Sequence, residues 1–196
     1  NNWTRGLPLG NGRLGTMVLG GPRHWKLQLN EDGIWAGTPT DRVRHGAHEY
    51  LDKARQLIFD GEVVEAQKLL QKQFMSARWT RSYQTLADLD VHQSGLNELL
   101  NYRRWLDLDE AQVTEEFTAS GIGFRRRVIS SRPDECVAAI LEADRPGSIF
   151  IDVKISRETG GALVEPIRID ANRAWMRFGG QASHGDKFPG AYFECQ

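Results

Sequence analysis

The chain has 196 residues, with 25 Lys and Arg against 26 Asp and Glu, for a formal net charge of -1. That balance excludes a strongly basic nucleic-acid binder, and 8 Phe, 6 Trp and 4 Tyr give too much apolar surface for a disordered chain. No apolar run approaches the roughly 20 residues of a membrane-spanning helix, so neither nucleic acid nor a membrane is expected as a partner.

The sequence opens on Asn1-Asn2-Trp3 without a Met, which reads as a processed or cut product. The first third then reads as turn, strand, turn, strand, loop. Arg13 to Leu19 and Trp25 to Leu29 are apolar-rich runs split by Gly20-Gly21-Pro22, a strong turn signal. Between residues 47 and 74 the period changes. Ala47, Leu51, Ala54 and Ile58 fall at helical spacing, Gly61 interrupts, and Val63, Ala66, Leu70 and Phe74 resume it. This predicts two short helices within about 47–74. Trp79 to Thr85 reads as a loop.

From about residue 88 the period is two. Ala111, Val113, Phe117 and Ala119 share one face, and Gln112, Thr114, Glu116 and Thr118 the other. Ile149, Ile151, Val153 and Ile155 alternate with Asp152 and Lys154 and are expected to face the core. Ile167 and Ile169 alternate with Arg168 and Asp170. Turn signals at Ser120-Gly121, Arg132-Pro133-Asp134, Arg145-Pro146-Gly147, Gly160-Gly161 and Gly179-Gly180 separate the runs. The fold class is therefore mainly β, an antiparallel β-sandwich with a two-helix insertion. One domain over residues 1–196 is expected. It is expected to be incomplete at its C-terminal end, because Ala191 to Gln196 reads as a strand with no turn or cap after it.

No motif by itself completes an active site. Gly10-Asn11-Gly12-Arg13-Leu14-Gly15 matches GxGxxG literally, but a dinucleotide needs a helix opening from that turn to receive its pyrophosphate. Here a β-like run and Gly20-Gly21-Pro22 follow, so the glycines are read as a tight turn. His45 and His48 lie near a helix start without a third ligand, and are read as a solvated terminus. Cys136 sits in the apolar run Cys-Val-Ala-Ala-Ile-Leu and is read as a buried free thiol. Arg125-Arg126-Arg127 reads as salt-bridging residues on a solvated sheet face, with Arg126 opposite to its neighbours.

Glycoside hydrolysis needs two carboxyls facing each other across a cleft. Glu115 and Glu116 point to opposite sides of a strand. Glu31-Asp32 is the best-placed acidic pair, since it follows a strand and precedes Trp35, an aromatic able to stack on a sugar. A structural role for that turn is still the simpler reading.

The motifs in combination are more specific. Leu7-Pro8-Leu9-Gly10-Asn11-Gly12-Arg13-Leu14-Gly15 is followed by Leu29-Asn30-Glu31-Asp32-Gly33-Ile34-Trp35-Ala36-Gly37. Then come Ala54-Arg55-Gln56-Leu57-Ile58-Phe59-Asp60-Gly61, Tyr83-Gln84, Asp88-Leu89, Asn101 to Leu108, Phe124 to Val128 and Ser131-Arg132-Pro133-Asp134. This order resembles the N-terminal region of glycoside hydrolase family 95, the α-L-fucosidases acting on α-1,2-linked fucose, with α-L-galactosidase relatives. The likeness spans residues 1 to about 157. The chain departs from the family pattern at Thr85 and Ala87, where Pro and Gly are usual, and at Gly33, where Thr or Ser is usual. Family 65 glycoside phosphorylases have a similar first domain and are the alternative. So is a stand-alone carbohydrate-binding or structural sandwich.

The resemblance implies a β-sandwich of supersandwich type, followed in a longer parent by an α/α barrel that carries both catalytic carboxyls and works by inversion without metal. It therefore implies no catalytic residue in this chain, no cofactor and no metal. The implied partners are an oligosaccharide or glycan substrate of the parent and the barrel itself. Asn11, Arg13, Asn30, Glu31, Asp32 and Trp35 are the candidates for the cleft rim or the face that meets the barrel. The fragment alone is expected to be inactive. An extracellular or periplasmic location is favoured.

Overall fold

The computed structural model describes residues 2–37, 41–75, 81–158, 162–164, 168–170, 173–183 and 189–195. Trp79, Gly160-Gly161 and Ile167 lie outside the described residues. The chain forms two compact units, one of residues 1–37 and 82–196 and one of residues 38–81.

The first unit holds two main sheets. β1 (Leu7–Gly10), β2 (Leu14–Gly20), β3 (His24–Glu31), β4 (Ala87–Gln93) and β9 (Ile151–Ser156) lie side by side in that order. β5 (Leu100–Asp107), β6 (Gln112–Ala119), β7 (Ile122–Ser131) and β8 (Cys136–Ala143) form the second sheet in chain order. Among the described residues every strand pairing is antiparallel, as period-two alternation with short turns requires. Smaller sheets follow. β10 (Ala162–Val164), β13 (Phe178–Ser183) and β14 (Pro189–Cys195) make one, and β11 (Arg168–Asp170) with β12 (Arg173–Trp175) the other.

The two main sheets close on Leu9, Val18, Trp25, Leu27 and Val91 from the first and Val113 and Val128 from the second. These positions are cross-strand neighbours on one face, Val18 opposite Leu27 and Trp25 opposite Val91, so the pleat delivers them together. A second cluster, Leu96, Phe117, Ala119 and Phe124, closes one end, with the two phenylalanine rings stacked at 5.1 Å. A third joins Ile34, Leu86 and Ala87 to Phe178 and Ala182 of β13.

The second unit carries α1 (Leu51–Phe59) and α2 (Val63–Gln73), preceded by a 3-10 turn at Ala47–Tyr50. Gly61 between them takes φ +82°, a conformation that glycine adopts without a steric penalty. Both helices bury an alanine, Ala54 and Ala66, while Ile58, Phe59, Val63 and Val64 stay exposed.

Several sequence expectations need correction. Leu7–Gly10, read as part of a turn, is a strand. Pro8 is tolerated because β1 is the edge of its sheet. Gly179-Gly180, read as a turn, lies inside β13, where a side chain on Gly179 would come within 3.0 Å of the Phe193 carbonyl. A 3-10 turn at Trp3–Arg5 lies outside the helical segment, with Asn2 Oδ1 accepting from Thr4 N. Cys136 is exposed, not buried, because it begins the edge strand β8.

The β9 side chains also differ. Ile151, Val153 and Ile155 do share the inner face with Leu89 and Val91, yet Ile149, Ile151 and Val153 are exposed and only Ile155 packs inward. The second sheet has four strands against five and sits over β1 and β2. β9, at the far edge, lines an open cleft instead.

Candidate functional site

All six sequence candidates meet at one end of the first sheet. Asn11 sits in the β1–β2 turn, where its Oδ1 accepts from the N–H groups of Arg13 (3.0 Å) and Leu14 (2.7 Å). Its Nδ2 donates to the Ser131 carbonyl at the end of β7, 2.8 Å away. This residue shapes the turn and ties one sheet to the other. Gly10 pairs with Gly15 across the hairpin, so a strand and not a helix leaves the GxGxxG turn.

Arg13, at the tip, donates through Nε to Glu31 Oε1 (3.1 Å) and through Nη1 to Glu135 Oε2 (3.1 Å). Glu135, in the β7–β8 turn, is a second carboxylate at this site that the sequence alone did not bring near Glu31. Its φ of +48° is the tight-turn conformation that aims it here. Glu31 Oε2 also accepts from Gly33 N (2.8 Å). Burial pushes the Glu31 carboxyl up, but hydrogen bonds from the Arg13 guanidinium and the Gly33 amide, with the Arg13 charge, outweigh it and hold it below the ordinary range. Both carboxylates bind one guanidinium.

Asp32 is exposed in the turn after β3, its amide bonded to the Arg13 carbonyl. Its own carbonyl accepts from Trp35 Nε1 at 2.8 Å. Trp35 is 43% exposed. Its ring meets Tyr83 edge-on at 5.4 Å, and the two residues form an isolated β-bridge. The Tyr83 hydroxyl donates to the Glu31 carbonyl (3.0 Å) and reaches Asn30 Oδ1 at 3.4 Å. Burial, then the Glu31 and Asp32 charges, push the Tyr83 phenol up. Tyr83 was visible only as part of a motif, and the bridge to Trp35 is what makes it a member of the site.

Arg13, Asn30 and Glu31 line an open cleft of about 1740 Å³, whose interior is mostly apolar, with Leu29, Ile34 and Val153 among its walls. Among the described residues no group of three or more His, Cys, Asp or Glu gathers as a metal site. His45 pairs with Asp41 in the helical unit (3.1 Å).

Away from this end, the arginine run differs from the sequence reading. Arg126, read on a solvated sheet face, is buried between the sheets together with Glu115. Arg125 and Arg127 do face outward, toward Glu116 and Glu142.

The sequence matches the family model described as the N-terminal domain of glycosyl hydrolase family 65 over residues 1–194. It is 33% identical over 160 residues to "Alpha-L-fucosidase 2" of Arabidopsis thaliana, covering 80% of this chain and 19% of that protein. It is 33% identical over 142 residues to "Probable alpha-fucosidase A" of Aspergillus niger (68% and 17%). The corresponding protein of Aspergillus oryzae is 27% identical over 132 residues (64% and 18%). The chain thus spans less than a fifth of the length of these curated relatives.

Proposed function

The chain belongs to the N-terminal domain family of glycosyl hydrolase family 65, and from that premise we propose that it is the non-catalytic N-terminal domain of an inverting α-L-fucosidase of the family 95 type. The parent would hydrolyse terminal α-L-fucosides, α-1,2-linked, from oligosaccharides or glycans. The observation that carries this reading is the similarity to proteins named α-fucosidases along four-fifths of the chain in one case and two-thirds in another.

In this reading the acid and the base come from an α/α barrel in the parent. Inversion needs two carboxyls about 6.5–9.5 Å apart, one of them protonated. Glu31 and Glu135 are instead both engaged by Arg13. The turn built by Asn11, Arg13, Asn30, Glu31, Asp32 and Trp35 serves as cleft rim or barrel contact. Trp35, half exposed and pinned at both its backbone and its indole, offers the apolar surface for that contact.

The test compares the full-length parent with residues 1–196 on a fucosyl-α-1,2-galactoside. Fucose release by the parent alone, with NMR showing the inverted anomer first, supports the reading. Dependence of the parent on inorganic phosphate would replace it with a family 65-type phosphorylase. Release by the fragment that Glu31→Gln abolishes would make this turn catalytic.

A further inference from the structure

A second pocket opens on the outward face of the first sheet. Its floor is Gln28 of β3 and Asp88 of β4, which are direct cross-strand partners. Its walls are the segment Ser82 to Thr85 and, past the end of β9, Arg157 and Glu158. The volume is about 370 Å³, at the small end of ligand sites, which run from roughly 300 to 1,000 Å³.

The walls are fixed before any ligand arrives. Ala36 N donates to Ser82 O, Gln84 N to Ile34 O and Leu86 N to Leu29 O, each at 2.9 Å. Arg157 lies over the Phe193 ring at 4.3 Å and donates through Nη2 to Gln84 Oε1 (2.7 Å). Asp88 gives one carboxylate oxygen to Lys26 Nζ at 2.8 Å. Such pre-organisation lowers the ordering cost of binding.

What stays unsatisfied is hydrogen-bonding capacity. Among the described residues Arg157 Nε and Nη1 have no hydrogen-bond partner but are closed off from solvent, so what Arg157 offers a ligand is the second N–H of Nη2, whose first is on Gln84. Gln28 spends its carbonyl oxygen on Trp3 Nε1 (3.1 Å) and keeps its amide N–H groups. Charge, by contrast, is nearly balanced, with Lys26 and Arg157 against Asp88, Asp90 and Glu158. A pocket so balanced does not select an anion. It selects a small neutral molecule dense in hydroxyls, recognised by planar Asp, Gln and Arg groups. Trp3, 59% exposed and tethered to Gln28, stands beside it as an aromatic surface.

We propose that the Gln28–Asp88–Arg157 pocket is a carbohydrate subsite that takes one neutral pyranose unit. The inference concerns binding by this chain and does not rest on the parent being a fucosidase.

The test is calorimetric titration of the full 196-residue chain with methyl α-L-fucopyranoside, methyl β-D-galactopyranoside, glucuronate and inorganic phosphate. The expected result is millimolar or tighter binding of at least one neutral glycoside, weakened about tenfold or more by Asp88→Ala and by Arg157→Gln, the loss expected for a hydrogen bond to a charged group. Should Arg157→Gln lower the melting temperature, Gln28→Ala reads the same contact from an outward strand position. Trp3→Phe should remove the ligand-dependent change in tryptophan fluorescence. No binding of either neutral glycoside at about 50 mM, binding indifferent to all these substitutions, or binding of phosphate or glucuronate alone would each overturn the proposal.

Discussion

Arg126 and Glu115 face each other across β6 and β7 and form an ion pair sealed between the two sheets, 3.2 Å apart with both side chains 3% exposed. Arg126 also donates to the Gln93 side chain and to the Pro22 carbonyl, and lies over the rings of Trp25 (5.3 Å) and Phe117 (5.0 Å). Tyr102 donates to the other Glu115 oxygen at 3.2 Å, and burial followed by the Glu115 charge pushes its phenol up to about 12. A buried pair of this kind contributes little net stability when complete, because desolvation offsets attraction. Breaking it is another matter. Glu115→Ala leaves Arg126 charged and unpaired, and should cost about 3–5 kcal/mol. The double change Glu115→Leu with Arg126→Met should cost clearly less than the sum of the single ones. Urea denaturation of Glu115→Leu, Arg126→Met and the double variant checks this, and strict additivity would show that the pair does not act as a unit.

Glu31 gives a pH signature. Its carboxyl titrates lower in the folded chain than its ordinary 4.5. A lowered folded pKa means that the unfolded chain binds the proton first as acid is added. The contribution is therefore fully present above about 4.5 and fades as pH falls through the folded value. Melting temperature followed downward from pH 6 should fall through that window, and the fall should be shallower in Glu31→Gln. An unchanged acid limb would mean that the Arg13 contact is not held in solution.

Leu27 and Ile151 share one face of the sheet but not one environment. Leu27 is 2% exposed and Ile151 43%. Leu27→Ala should cost roughly 2–5 kcal/mol through lost burial and a residual cavity, and Ile151→Ala no more than about 1 kcal/mol. Equal shifts in denaturation midpoint would show that β9 is covered in solution.

Gly190 of β14 marks a close approach. A Cβ there would stand 2.2 Å from the Trp35 carbonyl and 2.5 Å from that of Ala182, and Ala191 N donates to the same Trp35 oxygen at 3.1 Å. Gly190→Ala should force β14 away from Trp35, at about 1–3 kcal/mol, with faster amide exchange at Ala191. Under the function proposed above, Trp35→Ala in the full-length protein should lower activity by less than loss of a barrel carboxylate would.

These cases show which parts of the molecule a sequence discloses. Gly20-Gly21-Pro22 and the change of period near residue 47 report local backbone geometry, and both gave the right elements. Alternation also placed Arg126 opposite to Arg125 and Arg127. It could not say which side meets the other sheet, because parity is local and coverage is not. The same gap explains β9, whose pattern is that of a core strand at an edge its partner sheet does not reach. The six candidate residues were legible as motifs. Glu135 was not, since it arrives from a turn more than a hundred positions away, and neither was Arg157, whose neighbours Gln84 and Phe193 come from distant segments.

The bridge between Trp35 and Tyr83 has a further consequence. Residues 38–81 leave the sandwich at Gly37 and re-enter at Ser82, and the Ala36 amide bonds the Ser82 carbonyl at 2.9 Å. Topologically the helical unit is thus the loop of a hairpin whose neck the strands have already closed. The entropy of closing such a loop grows only slowly with its length, by about 0.6 kcal/mol per doubling. The neck is therefore a splice point, where segments of very different size can be exchanged for one another while β3 and β4 keep their register.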